Sequence, residues 1–332
     1  MTKLIEIPEW DHRDGGLPQF VRARSQAAVE VMDAVLGGLG IAGTALRPLL
    51  PLGDRIAARR LAAMNDPYRT EILALPQVMG RPGAVAFSLS YEFACTARVF
   101  ETGGVPRLLR VLDWPFHGLG ARIEVVRLSG PGGDWITATW PGVMGVLHGA
   151  APGRFAAALN QAPEPQTGFG RAADWLSAKR RFLRQTGIAP QHLLRQVFEN
   201  APDYRTARQL LSETPVAVPV IFTLAGTKPG EACVIERVET GSANPIDGRA
   251  VAANHFTSAL GVSGRRRPRG IDSTGRHRAA CALTSAPSVD RLEPPILNAL
   301  TRLALTLDAT GHLSVAGYEG ETQVTQVREA AA

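Results

Sequence analysis

The sequence predicts an α+β protein in which a mainly helical N-terminal part precedes a strand-rich remainder. Residues 21–77 are rich in Ala, Leu and Arg and repeat their apolar positions with a helical period. From residue 95 onward, short apolar runs alternate with Gly-rich turns, as strands and their connections do. A second helical stretch follows at 170–213. We therefore divide the chain into a leader, residues 1–94, and a main segment, residues 95–332.

The leader is expected to begin as an extended arm and to end as a strand. Residues 1–20 carry prolines and a glycine pair that disfavour a continuous helix. The apolar run from Ala84 to Phe93 alternates, which predicts a strand leading directly into Cys95. The glycines at 38–43 match the spacing of a dinucleotide-binding fingerprint. They follow a helical pattern instead of a strand, so we interpret them as small residues in a helix contact or a loop.

The main segment is predicted to contain several strands and a central group of helices. Asp203 is placed as the N-cap of the last of these helices. Cys233 is interpreted as a buried core thiol, and the basic loop at 264–270 as a surface insertion. The predicted strands are 96–101, 107–114, 122–128, 135–140, 216–224 and 233–238. The predicted helices are 172–186, 190–201 and 204–212. A final helix and strand are expected within 290–317, and the polar tail 318–332 is expected to be loose at its end.

The bulk composition is typical of a soluble globular protein. The chain has 332 residues, of which 45% are hydrophobic and 20% are charged. The N-terminus has no apolar core of signal-peptide length, and no apolar run reaches transmembrane length. The net charge of +6 comes from an excess of arginines, which we interpret as compositional bias. The basic loop at 264–270 has no interleaved aromatic residues, so we expect no nucleic-acid partner. The three cysteines form neither an even disulfide framework nor a metal spacing, which favours a cytoplasmic enzyme without a metal or cofactor.

One predicted hairpin gathers the residues with the most reactive chemistry. A second strand-like run follows Cys95 after the turn at 102–104. If the chain folds back at these glycines, the position numbers of paired residues sum to about 207. Arg110 then lies opposite the second residue after Cys95, and Asp113 lies opposite the residue before it, give or take one. A cation beside a thiol lowers its pKa, and a carboxylate orients the cationic partner.

The sequence around this hairpin also resembles a known family. The motif Tyr-Glu-x-x-Cys-Thr at 91–96 is followed by Arg-x-x-Asp-Trp-Pro at 110–115. Together they are similar to the self-cleavage junction of the acid ceramidase and N-acylethanolamine acid amidase family. That family belongs to the N-terminal-nucleophile (Ntn) hydrolases and is related to the choloylglycine hydrolases. The resemblance runs from about residue 84 to 285 and is weak over residues 1–80.

The resemblance implies a four-layer αββα fold and a chain that cuts itself between Ala94 and Cys95. Cys95 would then be both the nucleophile and an N-terminus, with its own α-amino group as general base. An α-amine with an ordinary pKa of about 7.7–8.0 titrates near working pH, which suits that role. Asp113 would hold this amine, and Arg110 would contact the nucleophile or the substrate carbonyl. The leader and the main segment would stay associated as one αββα unit.

Two further catalytic residues follow from the same resemblance. Asn254 matches the Asn that helps to form the family's oxyanion hole, a task that suits a neutral N–H donor of fixed direction. Arg276 is the best match for the arginine that the family has after its Asn, and Arg266 and Arg267 are the alternatives. The neighbouring His255 is not needed as a base, because an N-terminal Cys supplies its own.

The expected contacts to the substrate include one departure from the family. Asn160 and Trp114 match positions of the site wall. The family places a Glu after its Asn, whereas this chain has Gln161. A neutral amide forms hydrogen bonds but does not hold an ammonium group by charge, so Gln161 changes the charge balance of the site.

The implied reaction is hydrolysis of an N-acyl amide, with a fatty acyl group as one option, through a thioester on Cys95. Two alternatives stay open at this point. An acyltransferase on the same fold, like the penicillin acyltransferases, would differ only by excluding water. A binding protein that keeps the fold without catalysis is favoured by Gln161 and disfavoured by the retained Cys, Arg, Asp and Asn.

Overall fold

In the computed structural model, two β-sheets lie face to face at the centre of the molecule and helices cover their outer sides. The structure describes residues 3–90, 93–182, 184–239, 244–248, 250–261, 265–266 and 272–332. Tyr91 and Glu92 of the junction motif, and Arg267 of the basic loop, lie outside these ranges. The α+β class and the four-layer αββα arrangement are confirmed.

The strands fall into two large sheets and one small one. The strands are β1 Glu9–Asp11, β2 Ala94–Thr102, β3 Val105–Asp113, β4 Glu124–Gly130, β5 Gly133–Thr139, β6 His148–Ala151, β7 Phe155–Gln161, β8 Glu164–Pro165, β9 Val220–Ala225, β10 Ala232–Arg237, β11 Asn244–Asp247, β12 Val251–Ala252, β13 Arg265–Arg266, β14 Thr301–Asp308, β15 His312–Glu319, β16 Thr322–Gln323 and β17 Arg328–Ala331. The first sheet has the order β12-β2-β3-β14-β15-β16, with β17 also paired to β15. The second has the order β1-β4-β5-β6-β7-β9-β10-β11, and β8 pairs with β13 alone.

The helices lie mainly in the leader and in the middle of the chain. They are α1 Gly16–Ala23, α2 Ser25–Gly38, α3 Ile41–Leu46, α4 Leu50–Ala63, α5 Arg69–Leu73, α6 Leu75–Val78, α7 Ala84–Ser88, α8 Arg171–Phe182, α9 Pro190–Asn200, α10 Tyr204–Glu213 and α11 Ser273–Ala282, with short 3-10 turns at Arg47–Leu49, Gly120–Arg122 and Ala259–Gly261. Helices α9 and α10 pack on the second sheet, and α11 packs on β2 and β12 of the first.

The β2–β3 hairpin has the predicted register. Asp113 pairs with Ala94 and Arg110 pairs with Ala97. The connecting turn places Gly103 and Gly104 at φ 59° and 81°, a conformation that side chains rarely adopt and that suits a two-residue hairpin loop. The hairpin therefore brings a thiol, a guanidinium and a carboxylate to one end of the first sheet.

The central helices also agree with the sequence pattern. Asp203 caps α10 by accepting a hydrogen bond from the Thr206 N–H at 2.7 Å. Cys233 is fully buried on β10, as expected of a core thiol. The fingerprint-like stretch runs from the last residue of α2 into α3, and a Cβ on Gly43 would lie 1.8 Å from the Leu36 carbonyl oxygen. Gly43 therefore lies in a close contact between the two helices, as interpreted.

The strand predicted from Ala84 to Phe93 is wrong. Residues 84–88 form helix α7, and the strand begins only at Ala94. Asp54 fixes the start of this helix, because its carboxylate accepts hydrogen bonds from the Gly83 and Ala86 N–H groups. A short apolar run fits a buried helical turn as well as a strand, and here the distant carboxylate selects the helix.

Two predictions for the C-terminal region are wrong as well. Residues 290–317 contain no helix; they form β14, β15 and a turn-rich lead that includes the pair Pro294-Pro295, which lacks the N–H groups a helix needs. The tail is not loose, because β16 and β17 pair with β15. Ile5 also donates its N–H to the Val324 carbonyl and accepts from the N–H of Gln326. The two ends of the described chain thereby pair with each other.

The leader is held to the main segment by a strand and by polar contacts. Strand β1 pairs in parallel with β4 at the edge of the second sheet. The His192 ring nitrogen Nδ1 lies 2.6 Å from a carboxylate oxygen of Asp66. The Tyr68 hydroxyl donates to Glu199 at 2.6 Å, and the Arg195 guanidinium lies over the Tyr68 ring. These contacts connect the stretch between α4 and α5 to α9, and residues of both parts share the largest hydrophobic cluster.

Part of the leader's surface is apolar. Within the described residues no single helix has the length and apolarity to cross a membrane, whereas the bent pair Ser25–Gly38 and Ile41–Ala63 meets both criteria together, with a bend of 120°. The large apolar side chains exposed on and around this pair are Leu39, Ile41, Leu46, Leu49, Leu52 and Ile56.

Candidate active site

Cys95 lies at the start of β2 with its side chain fully buried between the two sheets. Its backbone N–H donates to Asn254 Oδ1 at 2.8 Å. Its carbonyl accepts from Arg276 Nη1 at 2.5 Å. The backbone N–H of Gln161 faces the sulfur and forms a hydrogen bond that favours the thiolate. Every polar group of Cys95 is thus held by a residue that the sequence nominated for the site.

Arg110 shares the inner face of the hairpin with Cys95. Paired strand positions point to the same face and alternate along the strand, so Arg110, opposite Ala97, points between the sheets as Cys95 does. Its Nη1 donates to Asn160 Oδ1 on β7 of the second sheet. Its Nε and Nη2 are buried and have no hydrogen-bond partner among the described residues. The guanidinium thus offers unused donors beside the thiol.

Asn160 connects Arg110 to the segment that carries Asn254. Its amide nitrogen donates to the Ala253 carbonyl at 3.0 Å, while its oxygen accepts from Arg110. The side chain is completely buried. Both ends of the amide are therefore engaged, and Asn160 orients the guanidinium. The structure thus places Asn160 beside Arg110, and its role as a substrate contact stays a prediction.

Asp113 lies on the opposite, outer face of the same hairpin. Its Oδ1 accepts from the Thr301 hydroxyl at 2.8 Å. Its Oδ2 is buried and forms an ion pair with Arg276 Nη1 at 3.5 Å, and the Asn298 side chain is a further hydrogen-bonding neighbour of the carboxylate. Burial raises the pKa of Asp113, and the Arg276 charge opposes this shift most strongly. A buried carboxylate, with Arg276 as its counter-charge, therefore lies near the N-terminal end of β2.

Arg276 is the arginine that the structure places at the site. It is 1% exposed on α11, and besides Cys95 it donates to Thr96 Oγ1 at 2.8 Å and to Asn254 Oδ1 at 2.7 Å. The backbone of Arg266 pairs with Glu164 in the small sheet instead. Arg267 lies outside the described residues.

Asn254 lies at the edge of the first sheet, where it contacts both Cys95 and Arg276. Its Oδ1 accepts from both the Cys95 N–H and Arg276, which fixes the amide orientation. Its Nδ2 then donates to the Gln161 carbonyl at 2.8 Å. An Asn amide nitrogen carries two hydrogens, and this contact uses one of them. The backbone N–H of Asn254 donates to the Ser273 hydroxyl at 2.9 Å.

Gln161 contacts the site with its backbone atoms. Its N–H faces the Cys95 sulfur and its carbonyl accepts from Asn254. Side chains alternate along β7, so the Gln161 side chain lies on the face opposite to that of Asn160. The substitution of Gln for the family's Glu therefore alters the charge on that face.

The charges around Cys95 act on its thiol in opposite directions. Burial raises the pKa of Cys95 above its ordinary value. The positive charge of Arg110 lowers the pKa, and the negative charge of Asp113 raises it. A thiol in this environment is protonated at neutral pH and needs a base before it acts as a nucleophile.

Trp114 lines a crevice together with Phe93, which lies two residues before Cys95 in the chain. Its ring centroid is 4.9 Å from that of Phe93 and 5.4 Å from that of Trp140. The crevice takes part of its wall from the leader and part from the main segment. It is lined by Phe87, Ser88, Ser90, Phe93, Trp114, Val143, Leu147 and Gln191. Such a lining suits an apolar group.

Three polar residues around the site were not found from the sequence. His148 is buried between the sheets, where burial and the Arg110 charge lower its pKa to about 3, so it stays neutral. Ser273 holds the Asn254 backbone and the His255 ring. Glu236 binds the segment after Asn254. No local motif marks any of them, because each acts through contacts distant in sequence. The described residues contain no cluster of ligands suited to a metal ion.

The acid ceramidase of Mus musculus is 30% identical to this chain over 294 residues, which cover 79% of this chain and 72% of the mouse protein. The chain belongs to the acid ceramidase family. This is a family of amide-bond hydrolases with the Ntn fold, as the sequence motifs indicated. The acid ceramidase of Rattus norvegicus is 28% identical over 182 residues, covering 52% of this chain and 44% of the rat protein. No protein-family model matches the chain.

Two solved structures are similar in shape to this acid ceramidase family member. The Caenorhabditis elegans ortholog of N-acylethanolamine-hydrolyzing acid amidase is 19% identical, with 66% of this chain and 93% of that chain covered and a TM-score of 0.45. A mutant conjugated bile acid hydrolase from Clostridium perfringens is 10% identical, with 71% and 92% covered and a TM-score of 0.46.

Proposed function

We propose that this chain is an N-terminal cysteine amidase that cuts itself between Ala94 and Cys95 and then hydrolyses an N-acyl amide. The observation that carries the proposal is the position of Cys95. Its thiol lies inside the sandwich, while its backbone nitrogen is held by Asn254 beside a buried carboxylate. The cut would divide the leader, residues 1–94, from the main segment, residues 95–332, and both would remain in one unit.

The register of the hairpin gives the new amine its partner. Ala94 pairs directly with Asp113, so both point to the outer face. When the peptide bond before Cys95 is cut, that bond no longer fixes the nitrogen, and the buried carboxylate of Asp113 is placed to accept a hydrogen bond from it alongside its ion pair with Arg276. A carboxylate raises the pKa of a neighbouring amine, and Arg276 opposes this effect. The amine is thereby held without being locked in its charged form.

The amine supplies the base that the buried thiol needs. Burial keeps Cys95 protonated, so its proton must go to a neighbouring group before attack. The α-amine of the same residue takes this proton, and the sulfur attacks the amide carbon. The leaving amine then takes the proton, which leaves a thioester on Cys95. Water attacks the thioester, and the thiol is restored.

The oxyanion of each step meets neutral donors at the sheet edge. Asn254 has one N–H that its contact with Gln161 does not use, and its orientation is fixed by Arg276. The Gln161 backbone N–H, which faces the sulfur, is a second donor. Arg110 supports the thiolate with its charge. Donors that are already oriented stabilise developing charge without reorganisation.

The substrate is an amide with an apolar acyl group. The crevice beside Trp114 is mainly apolar, and its wall includes Phe93, two residues before Cys95. We place the acyl chain there, and the amine-bearing part near Asn160 and Gln161. A bulky apolar chain would gain from leaving water, whereas the polar end would find the free donors of Arg110.

Two measurements test the proposal. The intact mass of the purified protein should show two pieces that end and begin at Ala94 and Cys95. The purified protein should hydrolyse fluorogenic N-acyl amides, with rates that depend on acyl length, and iodoacetamide should remove the activity. An uncut chain that is inactive on every acyl amide from acidic to alkaline pH would contradict the proposal and favour a binding role.

A further inference from the structure

Glu236 is a buried carboxylate that the mechanism above does not use. It lies on β10 of the second sheet and is 1% exposed. One oxygen accepts from the Thr257 N–H at 2.5 Å and from its hydroxyl at 2.9 Å. The other accepts from the Ser258 N–H at 3.1 Å and from its hydroxyl at 2.5 Å. Four donors from two consecutive residues therefore converge on one side chain.

These two residues belong to the segment that carries Asn254. The segment leaves β12 at the edge of the first sheet, passes Asn254, and reaches Glu236 of the second sheet three residues later. Between these points the backbone N–H of Asn254 is held by Ser273. The position of Asn254 is thus fixed on one side by Ser273 of α11 and on the other by Glu236 of β10. Loss of the contacts of either residue would let the segment that carries Asn254 shift.

We propose that Glu236 is a positioning residue for Asn254, which sets the location of the oxyanion donor relative to Cys95. The inference rests on the proposed amidase function. A carboxylate is suited to the task because it has only acceptor sites and binds four donors at once. Hydrogen bonds to an ionised acceptor are also stronger than those between neutral groups. A neutral side chain would not replace it at this position.

The test is Glu236→Gln, which keeps the shape and replaces one oxygen by an NH₂ group. That group faces two donors, so two hydrogen bonds are lost and the segment is pushed away. A misplacement of about 1 Å costs as much as about 10²-fold in rate. We expect kcat for a fluorogenic N-acyl amide to fall by about tenfold to 10²-fold with KM unchanged, as for an interaction made in the transition state.

A second readout separates positioning from general damage to the fold. Alkylation of Cys95 by iodoacetamide forms no oxyanion, so its rate should equal that of the parent. The matched control is Glu231→Gln. Glu231 also accepts two backbone N–H groups, from Thr227 and Lys228, but in an exposed turn away from the site. It should keep the parent's kcat.

A double-mutant cycle decides the route of the effect. If Glu236 acts through Asn254, the double variant Glu236→Gln/Asn254→Ala should be no slower than Asn254→Ala alone. Ser258→Ala removes one of the four donors and serves in the same cycle if Glu236→Gln does not fold; it should give a smaller loss. Losses that multiply, or a Glu236→Gln enzyme as fast as Glu231→Gln, would overturn the inference. An inactive parent would instead overturn the proposed function, and this inference with it.

Discussion

The inner and outer faces of the β2–β3 hairpin carry different halves of the site. The inner face holds the thiol of Cys95 and the guanidinium of Arg110, in contact with the second sheet. The outer face holds Asp113 and meets Arg276 from α11. Beside Cys95, the inner face has the charge of Arg110 alone, whereas on the outer face the charges of Asp113 and Arg276 oppose each other. At this end of the hairpin, the inner face is therefore cationic, whereas the outer face is close to balanced.

Because of this difference, one hairpin separates the Asp113 carboxylate from the Cys95 sulfur. Asp113 and Cys95 are near each other in the ladder, yet the alternation of strand positions prevents the carboxylate from touching the sulfur. The backbone nitrogen of Cys95 lies in the strand itself, between the two faces. We infer that the inner face tunes the nucleophile and that the outer face tunes the base.

The largest effect is expected from Cys95→Ala, because one thiol performs both self-cleavage and turnover. Intact mass should show an uncut chain, and fluorogenic amide hydrolysis should be undetectable. Cys233→Ala is the control, since this thiol is buried on β10 in the core and should leave both reactions intact. A Cys95→Ala protein that still cuts itself would place the nucleophile elsewhere.

The second-largest loss of turnover is expected at Asn254, which lies at the edge of the sheet and contacts both faces of the hairpin. Asn254→Ala removes one oxyanion donor, which typically costs about 10²–10³ in turnover. The protein should stay folded and retain measurable activity in a steady-state assay. Asn200→Ala, at the exposed end of α9, should behave as the parent. Full activity of Asn254→Ala would mean that the oxyanion lies in a different direction.

A smaller loss is expected on the outer face. Asp113→Asn keeps the shape but does not hold the amine, so turnover should fall by about tenfold to 10²-fold, part of what a positioned base contributes. Asp14→Asn, at an exposed carboxylate, should have no effect.

Thermal melts separate this role from a structural one. Burial raises the pKa of Asp113 in the folded state, so the folded protein binds this proton more readily than the unfolded chain does. The contribution of Asp113 to stability is thus greatest at low pH and falls as pH rises through the raised folded-state pKa. Asp113→Asn removes that fall, and its Tm at pH 8 should equal or exceed the parent's. A lower Tm with full activity in the folded fraction would make Asp113 a turn residue only.

The two faces should move the thiol pKa in opposite directions. Arg110→Met removes a charge that lowers the pKa of Cys95, so the pH dependence of alkylation by iodoacetamide should shift upward. Asp113→Asn removes a charge that raises this pKa, so the same curve should shift downward. Mass analysis of the Cys95 peptide gives the rate at each pH. Arg22→Met, at an exposed arginine, should leave the curve unchanged. Shifts of the same sign would contradict the division between the faces.

The smallest effect is expected from Gln161→Glu. A new carboxylate near the Cys95 amine would raise the pKa of that amine, so the rise of the rate with pH should move to higher pH while the maximal rate is kept. The exposed Gln77→Glu serves as the comparison. An unmoved profile would mean that the side chain, which lies opposite Asn160 across β7, does not sense the amine.

The sequence was most informative where the chemistry is local. The glycine turn determined the hairpin register, so Arg110 and Asp113 could be placed from the numbers of their positions. Asn254 and Arg276 came from motif resemblance, since no local pattern connects positions so far apart in the chain. Glu236 gave no signal, because its role depends on how two sheets approach each other.

The errors in the fold have a common physical cause. The run from Ala84 to Phe93 is too short for its period to separate strand from helix, and Asp54 decides the outcome from a distance. The tail from residue 318 is polar, which is common for a loose end. It is ordered because β15 and the N-terminal arm offer it partners.

The contacts between the leader and α9 acquire a different meaning if the chain is cut. One uncut chain unfolds without a change in the number of molecules, so its stability does not depend on its concentration. Two pieces separate as they unfold, and mass action then makes their melting temperature rise with protein concentration. The Asp66–His192 pair and the Tyr68–Glu199 hydrogen bond would hold together a heterodimer made from one polypeptide. Dilution would weaken that dimer, although every contact within it stayed the same.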